Sequence, residues 1–185
     1  MATSPSPSSP QSAVKQSVFE GLFVHVLKVP PDGPFADALR RVGYDLHRQE
    51  GEYPGLVWKE AVAVACQQVH PQLPPEEAQR ALGVRFIEGF LQTLAGRALG
   101  VVLPMLGAEG ALRRLQRFMA MGVPALRVLA HEDAPRSWRV EVQVPWALAD
   151  FDAGLIEAGV QRTGVPVRVG VLERTQDRYL LQVRW

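Results

Sequence analysis

Residues 84–103 read VRFIEGFLQTLAGRALGVVL, and the fold of the chain follows from this stretch. At 100° per residue its apolar side chains share one broad arc, whose members are Ile87, Phe90, Leu91, Leu94, Ala98, Val101 and Val102. The opposite arc carries Gly89, Gly96 and Gly100, although each glycine inside a helix costs roughly 1 kcal/mol relative to alanine. Glycines on the back of an amphipathic helix indicate that another element packs closely there. The stretch therefore predicts a central helix that is covered on both sides and ends near Pro104.

The second half of the chain repeats one unit, a helix followed by a β-hairpin. Gly-Val-Pro occurs at residues 122–124 and 164–166, an offset of 42 residues (164 − 122). Each triplet leads into two strands with alternating apolar and polar side chains, the closing strands being residues 138–144 and 179–185. An amphipathic helix precedes each triplet, and the second helix follows Asp150, a plausible N-cap. Two such units predict a four-stranded antiparallel sheet covered by helices on one face.

The first half of the chain is predicted to be mostly helical. Residues 1–15, led by a run rich in Ser and Pro, are expected to be a disordered tail before one domain, residues 16–185. Residues 18–29 are apolar on both alternating faces, which fits a buried strand or a short helix; the sharp stop at Pro30 favours the strand. Helices are predicted at residues 35–42 and 55–69 and from Pro75 into the central stretch, and a loop at 44–54. The predicted fold class is α+β, an N-terminal helical layer with a long central helix packed on the four-stranded sheet.

Composition limits the classes of partner. The net charge of +1 predicts no strong affinity for nucleic acid or for an anionic membrane surface. A single cysteine, Cys66, excludes an internal disulfide and a cysteine-based metal site. Residues 1–10 have neither a basic start nor an apolar run, so a signal peptide is not expected. Charged residues within the central helix argue against membrane insertion, and we expect a cytoplasmic protein.

Several motifs resemble a family of unknown function that is expanded as paralogues in myxobacteria. They are Phe19-Glu20-Gly21-Leu22-Phe23, Tyr53-Pro54 with Trp58, the run from Leu82 to Arg97, and the closing Val183-Arg184-Trp185. More distantly, the order of helices, hairpin, helix and hairpin resembles a ligand-binding superfamily. Its members are heme–nitric-oxide-binding domains, vinyl-reductase-type (4-vinyl reductase) sensor domains and transport-particle (TRAPP) subunits. This resemblance implies a pocket for a small molecule or acyl chain between helices and sheet, or a dimerisation platform.

The chain departs from the heme-binding branch of that superfamily. That branch implies an axial histidine on the helix before the first strand, and residues 108–121 contain none. Residues 138–144 also lack the Tyr-x-Ser-x-Arg motif that the resemblance implies for the heme propionates. Met119 and Met121 are potential iron ligands, but packing is favoured for both. We therefore expect no cofactor, with heme disfavoured, and no metal site, since the four histidines are scattered without ligand spacing.

Arg97 breaks the local pattern most clearly, because it falls on the flank of the apolar arc between Phe86 and Phe90. A buried guanidinium needs a partner, which is either a structural carboxylate or carbonyl, or the anionic head group of a ligand. Cys66 is interpreted as a buried small hydrophobe or as an acylation or redox site. The candidate ligand-binding residues are Arg97, Phe86, Phe90, Thr93, Trp58 and Cys66, and a polar strip beside them is formed by Arg85, Glu88 and Gln92.

No nucleophile, metal set or acid–base pair is complete in the sequence, so an enzyme is not expected. The leading hypothesis is a non-enzymatic sensing or adaptor domain for a small apolar or acyl ligand in cytoplasmic signalling, as a homodimer or with a signalling partner. The alternative is a protein–protein interaction or dimerisation module with no ligand.

Overall fold

A computed structural model describes residues 13–185, so the first twelve residues of the predicted tail lie outside the described part of the chain. The helices are α1 (Gln16–Phe19), which continues as a π-helix (Glu20–Val26), α2 (Pro34–Arg41), α3 (Gly55–Val69), α4 (Pro75–Phe90), α5 (Leu94–Arg113), α6 (Leu115–Ala120) and α7 (Ala149–Gln161). The strands are β1 (Ala13–Lys15), β2 (Glu52–Pro54), β3 (Arg127–Ala134), β4 (Ser137–Gln143), β5 (Arg168–Arg174) and β6 (Arg178–Arg184). The fold class is α+β, as predicted.

The sheet confirms the repeated helix–hairpin units. Its four antiparallel strands lie in the order β3-β4-β6-β5, so the two hairpins meet through their second strands. Val140 of β4 pairs with Leu181 of β6, and both are fully buried. Every second side chain on these strands faces the helices, while Leu129 of β3 lies on the open face and is 63% exposed. The alternation in sequence therefore identified the covered face correctly.

The beginning of the chain differs from the prediction in two places. Ala13–Lys15, assigned to the disordered tail, and Glu52–Pro54, within the predicted loop, pair as a small antiparallel sheet. Within residues 18–29, for which a strand was favoured, residues 18–26 form the end of α1 and the π-helix, and residues 27–29 follow it without regular structure. The helical form places Phe19 in an aromatic cluster, with ring centroids 4.7 Å from Tyr44 and 4.6 Å from Tyr53. Tertiary packing of these rings decided between the two structures that the sequence allowed.

The predicted single helix over residues 84–103 is wrong, because α4 and α5 are separate helices bent by 98°. The corner is formed by Thr93, which has extended backbone angles and is the N-cap of α5. Its hydroxyl donates a hydrogen bond to the carbonyl of Phe90 (2.7 Å) and accepts one from the backbone N–H of Gly96 (3.1 Å). These bonds satisfy the backbone groups that a helix end exposes. The apolar periodicity of the sequence continues across the corner, so the pattern does not indicate the bend.

Helix α5 also runs beyond the predicted stop at Pro104. Pro104 lies inside the helix, and the helical path is interrupted three residues later, at Gly107, whose φ of 66° is left-handed. No single helix among residues 13–185 has the length and apolar character to span a membrane. The bent pair α4 and α5 passes that test of length and composition only when both helices are taken together.

Helix α4 is covered on two sides, as predicted for the central helix, but of the three glycines behind that prediction only Gly89 lies in it. A Cβ atom on Gly83 would lie 1.9 Å from the carbonyl oxygen of Phe151 in α7, and one on Gly154 would lie 2.3 Å from that of Arg80 in α4. On another side of α4, a Cβ on Gly89 would lie 2.0 Å from the carbonyl oxygen of Gly21. Helix backbones thus touch α4 on two sides, with no room for a side chain.

We expect Gly154→Ala to destabilise the protein by about 1–3 kcal/mol, because the added methyl group forces apart two helix backbones. The matched control is Gly159→Ala in the same helix, where a Cβ meets only Ile87 Cδ1, at 3.9 Å. That variant should gain up to about 1 kcal/mol from helix propensity. Urea unfolding of both variants measures the difference, and equal stabilities would contradict the proposed close packing.

Candidate functional site

A cavity of about 100 Å³ lies between α4, α5, α6 and α7. Its walls include Phe86 and Phe90 of α4, Leu99 and Leu103 of α5, and Ile156 of α7. The lining is almost wholly apolar. The cavity is partly open rather than fully enclosed; for scale, an engineered enclosed cavity of about 150 Å³ accommodates benzene or xenon. The geometry therefore suits a small, compact apolar molecule.

Aromatic rings stiffen one side of the cavity. The ring of Phe86 stacks on that of Phe90 with a centroid distance of 5.6 Å, and it lies 5.4 Å from the ring of Phe151. Trp58 of α3 contacts Phe151 edge to face at 5.6 Å. Such ring pairs add about 0.5–1.5 kcal/mol each beyond the area that they bury. This wall is preformed, and it joins α3, α4 and α7.

Asp152 is the charged residue among the cavity-lining residues of the described chain. Its side chain is buried, with 8% of the residue exposed, and Oδ2 accepts a hydrogen bond from the hydroxyl of Tyr179 in β6. Burial raises the pKa of the Asp152 carboxyl to about 7, and the hydrogen bond from Tyr179 opposes this shift only in part. Burial, together with the neighbouring Asp152, raises the pKa of Tyr179 well above 10. Tyr179 is therefore a neutral donor to a carboxyl that titrates near neutral pH.

The neighbouring acid, Asp150, has a different environment. Nη2 of Arg174 donates to both of its carboxyl oxygens, at 2.8 and 2.9 Å. The prediction that Asp150 caps α7 is wrong, because Leu148 occupies the N-cap position and provides no side-chain cap. Asp150 instead ties the start of α7 to β5. The two acids thus have separate roles, one in an ion pair and one at the cavity.

The predicted ligand-binding residues separate into three groups. Trp58, Phe86 and Phe90 line the cavity together. Thr93 and Cys66 are buried but do not line it; Thr93 forms the α4–α5 corner, and burial raises the pKa of the Cys66 thiol to about 11. Cys66 therefore carries a neutral thiol at physiological pH.

Arg97 lies at the surface, so the expectation of a buried guanidinium is wrong. Its Nε donates to the carbonyl of Gln92 at 3.3 Å, and it does not line the cavity. The bend at Thr93 moved Arg97 away from the face it would share with Phe86 on a continuous helix. The polar strip formed by Arg85, Glu88 and Gln92 is exposed.

Asp152 is not among the candidate site residues identified from the sequence. A signal was present, since Asp152 lies four residues before Ile156 and seven before Gly159, on one helix face. A charge on the apolar face of a helix marks a buried or functional group. Tyr179 carried no comparable signal, because its partner is 27 residues away in sequence.

The histidines lie apart from the cavity. His25 contacts Glu20, His47 contacts Asp32, and His131 lies on β3. Among residues 13–185 no three His, Cys, Asp or Glu side chains are arranged to hold a metal ion.

A family model described as "Protein of unknown function (DUF2378)" matches residues 12–185. No curated protein matches the chain by sequence. Solved structures match its fold over 92% of its length. An H-NOX protein variant from S. oneidensis in the Fe(II) ligation state has a TM-score of 0.71 at 13% identity, with 95% of that chain covered.

A structure from work on protein-induced porphyrin distortion and heme redox potential has a TM-score of 0.67 at 13% identity, over 92% of this chain and 99% of that one. A variant Cs H-NOX domain gives 0.67 at 14% identity, over 92% and 95%. At these identities the likeness shows a shared fold.

These comparisons correct the expectation of no cofactor with heme disfavoured, since the fold is one described with heme in other proteins. Heme is therefore a candidate cofactor for a protein of this fold. The cavity-lining residues described here offer a thioether, on Met119, and the carboxyl of Asp152, but no imidazole, thiolate or phenolate. This set of side chains does not fit the usual ligation of heme iron.

We expect the stability of the protein to depend on pH through Asp152. Folding raises its pKa from the usual 3.8 to about 7, so the folded state binds the proton more tightly. The stabilisation is full below about pH 4 and is lost as the pH rises to about 7, by roughly 4 kcal/mol. Asp152→Asn, which cannot ionise, should lack this dependence. Urea unfolding between pH 4 and 8 measures both proteins, and parallel pH profiles would contradict the assignment.

Proposed function

This chain belongs to the DUF2378 family of proteins of unknown function, and we propose that it is a ligand-sensing domain in a signalling system. The proposed ligand is a small, compact apolar molecule bound in the cavity beside α4. The fold shared with H-NOX domains supports a sensor rather than an enzyme. The links to vinyl-reductase-type domains, transport-particle subunits and myxobacterial paralogues, and the cytoplasmic setting, stay predictions from the sequence.

The single observation that carries this proposal is the apolar cavity of about 100 Å³ inside the fold. Well-packed proteins contain few voids larger than a water molecule, and each void forgoes packing energy. A molecule of about the size of benzene recovers that energy. A long acyl chain, the other ligand class inferred from the resemblance, would extend beyond this volume through the open side of the cavity.

Helix α5 borders both the cavity and an exposed apolar surface, so it can connect ligand binding to a partner. Its Leu99 and Leu103 line the cavity, while Leu94, Val101 and Met105 on the same helix are 87%, 70% and 79% exposed. Exposed apolar side chains grouped on one element mark interaction surfaces. A ligand that binds one arrangement of α5 better than another would shift the population of that surface.

We expect benzene to bind the wild-type protein and to shift the methyl resonances of Ile87 and Ile156, measured by ¹H–¹³C NMR. Gly159→Leu should abolish these shifts, because its side chain begins at the cavity wall, where a Cβ would meet Ile87 Cδ1 at 3.9 Å without a clash, and fills the cavity. The matched control, Gly100→Leu, lies on α5 outside the lining and should keep them. Absence of any benzene-dependent shift in the wild type would overturn the proposal.

Heme is tested in the same preparation. A Soret absorption band in the protein as isolated, or after addition of hemin, with retained methyl dispersion would show a heme protein. That result would replace the small apolar ligand with heme.

A second candidate function is homodimerisation through α5. Leu94, Ala98, Val101 and Met105 are exposed and follow the i, i+4, i+7, i+11 spacing of a helix-pairing seam. In an antiparallel pair the large Leu94 would face Met105, and the small Ala98 would face Val101. The surface is thus complementary to a second copy of itself.

For this alternative, Val101→Glu should convert a dimer to a monomer, because a charge enters the centre of the seam. Leu129→Glu on the open face of the sheet is the control, since it adds the same charge at a comparably exposed apolar site. Light scattering coupled to size exclusion measures the mass. A monomeric wild type, or a loss of dimer in both variants, would contradict the seam.

A further inference from the structure

The carboxyl group of Asp152 does not match the chemistry of the wall that carries it. The residue lies on α7, one turn from Ile156, and lines a cavity whose other walls are formed by aromatic and aliphatic side chains. Burying a carboxyl there is costly without hydrogen bonds. A purely structural link between α7 and β6 would not need a group that faces the cavity.

The hydrogen bonds of Asp152 are incomplete within residues 13–185. Oδ2 accepts from the Tyr179 hydroxyl, and Oδ1 has no partner in the described part of the chain. A carboxylate has acceptor sites on both oxygens, and buried polar groups are nearly always satisfied by protein or bound molecules. The unused acceptor and the cavity therefore belong to one site.

On the basis of the proposed function, we propose that the ligand is a compact, mainly apolar molecule with one N–H or O–H donor that hydrogen-bonds to Asp152. Its apolar part packs against Phe86, Phe151 and Ile156, and its donor meets the free carboxyl oxygen. Small heteroaromatic or aromatic molecules with a single N–H or O–H have this composition. Apolar packing supplies affinity, and Asp152 selects for the donor.

Tyr179 is a positioning residue in this site. Its hydroxyl occupies Oδ2 and leaves Oδ1 for the ligand. Tyr179 is itself fully enclosed, between α7 and the sheet, and it does not line the cavity. It orients the carboxyl without touching the ligand.

The test uses pyrrole and furan, two five-membered rings of nearly equal size. Pyrrole presents an N–H donor and no in-plane acceptor, whereas furan presents an acceptor and no N–H or O–H donor. Both are titrated into the full chain at about pH 9, above the pKa of about 7 of the carboxyl, and followed by methyl NMR shifts. We expect the wild type to bind pyrrole at least tenfold more tightly than furan, as a hydrogen bond to a charged acceptor provides.

Asp152→Leu and Asp152→Asn should each lower the ratio of pyrrole to furan affinity at least tenfold. Comparing this ratio between proteins cancels the different hydration of the two probes. In Asp152→Asn the amide oxygen still accepts from Tyr179, and an N–H₂ group replaces the free acceptor. Tyr179→Phe removes the hydrogen bond that orients the carboxyl but keeps the carboxyl itself, so its preference for pyrrole should fall less than in either Asp152 variant.

The outcomes separate this inference from the proposed function. If furan and pyrrole bind with equal affinity and the Asp152 variants change nothing, the inference fails and the apolar cavity stands. If neither pyrrole, furan nor benzene binds the wild type, the proposed function fails and the inference with it. If Tyr179→Phe abolishes the preference as fully as Asp152→Asn does, the pair is structural and the inference is overturned. Should Asp152→Leu not fold, Asp152→Asn and Tyr179→Phe decide the question alone.

Discussion

The backbone contact between α4 and α7 is the constraint on which the rest of the structure depends. At Gly83 and Gly154 each helix meets a carbonyl oxygen of the other, so the two axes approach more closely than side chains allow. Glu157 secures the crossing, because its Oε2 accepts from Nη2 of Arg80 and from the backbone N–H of Val169, both at 2.8 Å. This contact fixes α4 relative to the sheet. It also places Phe86 and Ile156 on facing walls.

The cavity follows from the same geometry. Helices α4 and α7 are in backbone contact at the glycines, and α4, α7 and α5, which follows the turn at Thr93, all contribute side chains to the cavity. The side chains that line the cavity are apolar, as burial in a folded protein requires, and Asp152 is the exception. The close packing at the α4–α7 crossing and the cavity beside it therefore both follow from the same helix arrangement. A site for a small molecule needs no insertion or extra loop in this fold.

Much of the fold could be predicted from periodicity and chain breaks. The bounds of α3 and the start of α4 at Pro75 agree with the predictions, as do the sheet and its covered face. The wrong predictions have a common physical cause. The local apolar periodicity continues through positions where tertiary contacts determine the secondary structure. Thr93 makes a corner inside an unbroken apolar pattern, and residues 18–26 are helical because Phe19 enters a ring cluster. Three of the six candidate site residues line the cavity, while Arg97 was displaced by the corner and Asp152 gained its character only from burial.

Under the proposed function, Gly159 is a position at which the ligand could change without a change of fold. The residue lies on the cavity wall, and the space where its side chain would begin is occupied only distantly by Ile87. Each larger side chain at this position would take volume from the cavity without touching the α4–α7 crossing. Thus Gly159 affects the volume of the cavity, whereas Gly154 of the same helix affects the stability of the fold. Duplicated copies of such a gene could diverge in the molecules they detect through one codon, while Gly154 keeps the architecture unchanged.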